Sequence, residues 1–299
     1  MILLLFLMYA FFGLTFIFGS IAMQNASPIF FIGIRMIVSS FFMLGYLLVR
    51  RQSCKIHKKD IFLFLFLGVI HILIPYVGEF WALQYLSAAK TSLIWSLSPF
   101  ITALFAWLMF NEKMTPLKYV GMGIGFIGFI PIILHEGAKE QSLFSFFHIS
   151  AADMALVIAV ISAALAWSTF KKLLHKGYRA FFINGWAMLF GGIYSLILSP
   201  FFEPWHPFPV KNWPITIGCL IALVIIGGII CYNLYGYLLK KYTVTLLSFA
   251  GGIVPFCTAF FQWIFLGEKV SLAFIFSLGI ISLGLYIFYK EELRQGYIK

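Results

Sequence analysis

The sequence predicts an all-α membrane protein of ten transmembrane helices, built as two inverted five-helix repeats with both termini in the cytoplasm. Three observations predict it. Apolar residues come in blocks near twenty long, Lys and Arg fall mostly on one side of those blocks, and the chain matches itself at an offset of 156 residues.

Of the 299 residues, 62% are hydrophobic and 10% are charged. A water-soluble chain of this length could not cover its surface with so few charges. Blocks of about twenty apolar residues cross a ~30 Å hydrocarbon core as helices at 1.5 Å per residue. Barrel strands would instead read as alternating ~10-residue segments, and these runs are continuous. Only helices then satisfy the backbone in lipid.

Charges, prolines and polar clusters divide the chain in order. The first span, 2–22, has no Lys or Arg at its start and is longer than a signal-peptide core, so it is expected to stay as a span. The second, 28–49, opens at Ser27-Pro28 and stops at Arg50-Arg51; the third, 61–85, follows Lys58-Lys59. Span 88–110 stops before Asn111-Glu112-Lys113, and 116–135 opens at Thr115-Pro116. Span 151–170 ends at Lys171-Lys172, 181–201 follows Arg179, and 214–239 runs from Trp213-Pro214 to Lys240-Lys241. Spans 243–266 and 271–289 flank Glu268-Lys269 and end at Lys290. Proline in the first turn costs no hydrogen bond, which is why three of these starts carry it.

The loops on one side of this set hold sixteen Lys and Arg; the other side holds four, Lys90, Lys139, Lys211 and Lys269. The bias places both termini in the cytoplasm. It also accounts for the net charge of +11 without nucleic acid as a partner. The lipid bilayer and a small-molecule substrate are the expected partners. Cys54, Cys219, Cys231 and Cys257 are scattered with no metal-ligand or disulfide spacing, so no metal site and no cofactor is expected.

At the 156-residue offset, Pro99-Phe100-x-Thr102-Ala103-x-Phe105-x-Trp107 meets Pro255-Phe256-x-Thr258-Ala259-x-Phe261-x-Trp263, and Glu112-Lys113 meets Glu268-Lys269. Between positions 92 and 128, twelve of 37 residues match without a gap, where biased composition gives roughly three by chance. The expected division is a first repeat over 1–136, an external linker over 137–150, and a second repeat over 151–299 that ends in a cytoplasmic tail. Five crossings per half make equivalent helices antiparallel. Such inverted repeats typify secondary transporters, with the substrate near the midplane where the halves meet and one half rocking against the other.

Phe12-Gly13-x-Thr15-Phe16, Ser27-Pro28, Arg35, the stretch Ser96-Leu97-Ser98-Pro99-Phe100 and the following Asn111-Glu112-Lys113 resemble the EamA-type family of the drug/metabolite transporter superfamily. The second copy, Pro255 to Lys269, is similar again. The resemblance covers nearly the whole chain and implies the ten-helix, two-half plan. It also implies transport of a small organic molecule: family members carry amino acids, nucleotide-like metabolites, cations or drugs. The sequence departs from the resemblance at one point, since Arg35 has no basic counterpart in the second half.

The candidate substrate-binding residues are Tyr76, Glu79, Trp95, Ser96, Trp167, Tyr232 and Tyr235. Arg35 and Glu79 lie at similar depth, and two readings stand side by side. They form a buried ion pair that holds helices 2 and 3 together, or Glu79 faces the cavity. Tyr76 shares a helix face with Glu79 and matches Tyr232 at the repeat offset, so each half can present a tyrosine to the interface. Trp95 is placed near the midplane, where Trp is unusual. Ser92, Ser96 and Pro99 form a small polar stripe answered by Ser248, Gly252 and Pro255, so Pro99 and Pro255 are the expected helix breaks. His71 is a packing residue or a proton relay. Trp167 with Ser168, Asn233 and Gln262 are further polar or aromatic candidates.

Gly123-x-Gly125-x-x-Gly128 imitates a dinucleotide-binding motif, but no strand precedes it. Gly121-x-x-x-Gly125 reads as a helix-packing face, with Gly279 and Gly284 in support. An aromatic cavity with one acidic group suits a cationic or ring-bearing metabolite, amino-acid-derived or S-adenosylmethionine-like. Three alternatives are a drug or metabolite efflux pump of the same fold, a channel and an intramembrane enzyme. No filter or charged ring supports the channel, and no catalytic constellation supports the enzyme.

Overall fold

The computed structural model describes residues 2–82, 85, 94–95, 97–128, 130–131, 150–266 and 272–297. Two long helices open the chain, α1 (Ile2–Asn25) and α2 (Pro28–Val49). Helix α3 (Lys58–Ala82) follows, then α4 (Ser98–Phe110) and α5 (Pro116–Ile127). Next come α6 (Ala151–His175), α7 (Ala180–Phe202) and α8 (Trp213–Leu238). Val244–Ala250, Gly251–Ile253 and Val254–Leu266 run on as α9, and α10 is Leu272–Arg294. The described residues form no strand beyond an isolated bridge between Ala26 and Val210. Six helices, α1, α2, α3, α6, α7 and α8, are long and apolar enough to cross a membrane by length and composition; Ser98–Phe110 and Val244–Thr258 are shorter apolar helices.

Helix starts follow the local chemistry. Pro28, Pro116 and Pro214 occupy the first turn of α2, α5 and α8. Thr115, Asn212 and Thr243 accept from backbone N–H groups as caps, and Ser150 with Asp153 forms a reciprocal capping box on α6. Ser27 makes no side-chain cap on α2. Glu203 replaces it from the far end of α7, accepting from Ile29 N at 2.6 Å and Phe30 N at 2.9 Å. A carboxylate suits the positive end of a helix dipole. Helix α6 continues to His175, past the Lys171-Lys172 pair expected to end it. Cations favour a helix C-terminus, and Lys171 finds Glu112 at 2.9 Å.

Two helices carry a wide turn of π type, Gly68–Leu73 in α3 and Val224–Cys231 in α8. The two turns begin 156 residues apart, the separation that also relates Tyr76 to Tyr232. π-turns concentrate at functional sites. Pro99 sits in the first turn of α4, and Pro255 lies two residues after the 3-10 step Gly251–Ile253.

Lipid supplies no hydrophobic drive between helices, so close contact and hydrogen bonds hold them. The α5–α10 crossing shows this most plainly. A Cβ on Gly284 would stand 2.5 Å from Gly121 O and 2.6 Å from Gly125 N, so the two backbones touch. Gly123 and Gly279 face open space and take no part. Below this crossing, Lys118 and Glu292 form a buried ion pair at 2.8 Å, and Thr243 donates to the other carboxylate oxygen at 2.6 Å. Glu112, just past the end of α4, is buried and joins α6 through Lys171.

Candidate functional site

The turn after each π segment presents a tyrosine. Tyr232 of α8 donates to the hydroxyl oxygen of Tyr76 of α3 at 2.7 Å, with rings stacked 25° apart and centroids 6.5 Å apart. This is the pairing that the repeat offset points to. Aromatic side chains close around it. His71 meets Trp167 edge-on at 4.5 Å and Tyr232 at 5.1 Å, and Trp167 stacks on Tyr235 at 3.8 Å. Phe12 from α1 completes the group against Tyr232. Helices α1, α3, α6 and α8 thus bring one aromatic cluster together from widely separated parts of the chain.

Opposite charges flank the tyrosine pair. The Arg35 guanidinium lies over the Tyr76 ring, 5.2 Å from its centroid, while Glu79 is one turn beyond Tyr76 on α3. Both charges act electrostatically on the Tyr76 and Tyr232 hydroxyls. They also interact with each other, yet the ion pairs among the described residues do not include one between Arg35 and Glu79. The guanidinium turns to the aromatic face instead of closing on the carboxylate. Gly227, within the α8 π-turn, makes this possible: a Cβ there would stand 2.5 Å from an Arg35 Nη.

Several buried polar atoms in and near this region have no hydrogen-bond partner: Arg35 Nε, Ser39 Oγ and His71 Nε2. Such atoms are rare in folded proteins and each asks for a reason. Asn184 donates to Asn233 at 3.0 Å nearby, linking α7 and α8. Ser168 bonds within its own helix, to Ala164 O.

The structure gathers Tyr76, Glu79, Trp167, Tyr232 and Tyr235 with His71 and Arg35. It does not bring in Trp95, which packs on α6 beside Leu156 and Ala159 together with Ala82; its indole N–H is buried without a partner. Ser92, Ser96, Glu268 and the linker over 137–149 lie outside the described residues, as does the side chain of Gln262. Ser248, the counterpart of Ser92, bonds Ser98 at 2.8 Å and accepts from Thr102 at 3.2 Å, joining α4 to α9. Sequence reasoning missed Ser39 and Phe12. Ser39 was findable, one turn after Arg35 on the same face; Phe12 stands in the Phe12-Gly13-x-Thr15-Phe16 stretch that carries the resemblance, but nothing in that stretch shows which ring meets Tyr232.

The sequence pattern of the EamA-like transporter family matches residues 1–134 and again residues 150–290. A relative from Chlamydia muridarum, named S-adenosylmethionine/S-adenosylhomocysteine transporter, is 32% identical over 286 residues, covering 95% of this chain and 90% of the relative. A protein of the same name from Chlamydia trachomatis serovar L2 is also 32% identical, covering 95% of this chain and 87% of its own length. A solved crystal structure, 18% identical, has a TM-score of 0.74 and covers 98% of this chain and 96% of that one. That likeness concerns the fold alone.

Proposed function

The chain belongs to the EamA-like transporter family, and from that premise we propose that this multi-pass membrane transporter carries S-adenosylmethionine or S-adenosylhomocysteine by alternating access. The proposal includes ten crossings with both termini cytoplasmic, as two inverted repeats over 1–136 and 151–299 joined by an external linker. Supporting the repeat are the two π-turns 156 residues apart and the double match of the family pattern. The substrate site is assigned to Tyr76, Glu79, Trp167, Tyr232 and Tyr235, with Trp95 and Ser96 toward α4 and Pro99 and Pro255 as helix breaks.

One observation carries the assignment. A tyrosine from each half meets its counterpart through a 2.7 Å hydrogen bond inside an aromatic cluster flanked by opposite charges. The chemistry fits the substrate. Aromatic faces take an adenine ring, and a sulfonium gains from cation–π contact and from a nearby carboxylate once desolvated. The hydrogen bond closes the seam, and opening it would let the halves rock apart.

The test is uptake into proteoliposomes. Labelled S-adenosylmethionine should enter faster when the lumen is preloaded with unlabelled S-adenosylhomocysteine, measured with and without a proton gradient. Preloading either side separates an importer or exchanger from an efflux pump of the same fold. Absence of both accumulation and exchange would refute the substrate assignment.

A further inference from the structure

We infer that Arg35 is the carboxylate-binding pole of the site and that, with Glu79, it recognises the zwitterionic head of an α-amino-acid substrate; this rests on the transport reading above. Another buried cation among the described residues, Lys118, gives the comparison. Lys118 is 1% exposed and closes on Glu292 at 2.8 Å. Arg35 is 3% exposed, yet among the described residues it has no ion pair, and its Nε has no hydrogen-bond partner. A charge at membrane depth is expensive and normally paired. A buried guanidinium that serves only the scaffold would be expected to use the acid next to it.

The surroundings hold the guanidinium open instead. Gly227 leaves room for one Nη, the Tyr76 ring supports the plane at 5.2 Å, and Glu79 sits one turn after Tyr76 on α3 without closing an ion pair to Arg35. Ser39, one turn along α2, points at Gly228 of the same π-turn, and its hydroxyl is also buried without a partner. A planar fork of N–H donors beside a free hydroxyl matches a carboxylate. The Glu79 carboxylate, one turn after Tyr76 on α3, matches an ammonium. Two opposite charges held near each other but unpaired are the complement of a molecule that carries both. Neutral or purely cationic cargo would leave Arg35 unpaired, and a purely anionic one would leave Glu79 so.

The experiment compares ligands on the unaltered protein first. In proteoliposomes taking up labelled S-adenosylmethionine, unlabelled S-adenosylmethionine should compete about tenfold or more better than its decarboxylated analogue, as loss of a charge-assisted contact implies. Methylthioadenosine, lacking the whole head, should compete more weakly still. Arg35→Lys keeps the charge but not the fork, and should shrink the ratio between the first two competitors even if overall uptake falls. A merely structural Arg35 would lower uptake and leave that ratio unchanged. Equal competition by the decarboxylated analogue in the unaltered protein overturns the inference and leaves the substrate reading standing. If S-adenosylmethionine is not transported, melting of the purified protein with L-methionine and with its methyl ester decides separately. Stabilisation by the free acid alone keeps Arg35 in its role while the substrate reading falls; stabilisation by neither, or by both equally, overturns both.

Discussion

Removing the hydroxyl from Tyr76, from Tyr232 and from both gives a thermodynamic cycle on the hydrogen bond at the centre of the site. Tyr232 donates and Tyr76 accepts at 2.7 Å, and the rings remain in contact through their faces. Tyr76→Phe therefore leaves a buried donor without an acceptor, and Tyr232→Phe leaves a buried acceptor without a donor. Each single change should cost about 1–3 kcal/mol, the desolvation penalty of an orphaned group. The double change removes both groups and should cost clearly less than the sum of the singles, with a coupling of about 1–2 kcal/mol. In a chain this long, about 1 kcal/mol corresponds to about 2 °C in melting temperature. The measurement is melting in detergent micelles for the four proteins. Additive single effects, with a coupling below about 0.3 kcal/mol, would show that the two hydroxyls do not depend on each other. The same variants assayed for exchange should reopen the seam more easily, so uptake by the double variant should persist with altered selectivity.

Three further outcomes follow from the packing. Lys118→Met should destabilise by about 3–5 kcal/mol because it strands the Glu292 carboxylate, whereas Lys118→Met with Glu292→Leu should recover much of the loss; melting in micelles reads both. Gly284→Val should drive a side chain into the Gly121 and Gly125 backbones, costing at least about 1–3 kcal/mol as overpacking, while Gly279→Val, facing open space, should leave melting within about 1 °C. Glu203→Gln keeps the shape but removes the charge at the start of α2, and should lower stability by about 0.5–2 kcal/mol, less at high salt than at low.

Much of this molecule is legible without its coordinates. Pro28, Pro116 and Pro214 announce helix starts, and α2 begins and ends where the charges say it should. The internal match pairs Tyr76 with Tyr232, and the hydroxyls of that pair meet. Other parts were not legible. Trp95 packs against Leu156 and Ala159 of α6, a neighbour that its depth in the span does not reveal. Lys118, near the start of a span, reads as a cation at the membrane edge, yet it is buried against Glu292, 174 residues away. Ser27-Pro28 marks the start of α2, but the group that caps it, Glu203, comes from another helix.

The division has a physical cause. Solvent class, helix limits and internal repetition are properties of runs of residues, so composition and order determine them: lipid admits only helices of a certain length, and charges and prolines mark their ends. Which side of a helix faces which neighbour is another matter. In a water-soluble helix a polar stripe gives that away, but a helix apolar on every side carries no such mark. Rotation and crossing are decided by where small residues let backbones meet, as at Gly121 and Gly284, or let one side chain through, as at Gly227. The sequence alone placed Arg35 and Glu79 at similar distances from the ends of two apolar spans. Only the tertiary structure decided that Arg35 rests on Tyr76 instead of closing on Glu79, because the notch at Gly227 and the ring beneath it come from other helices.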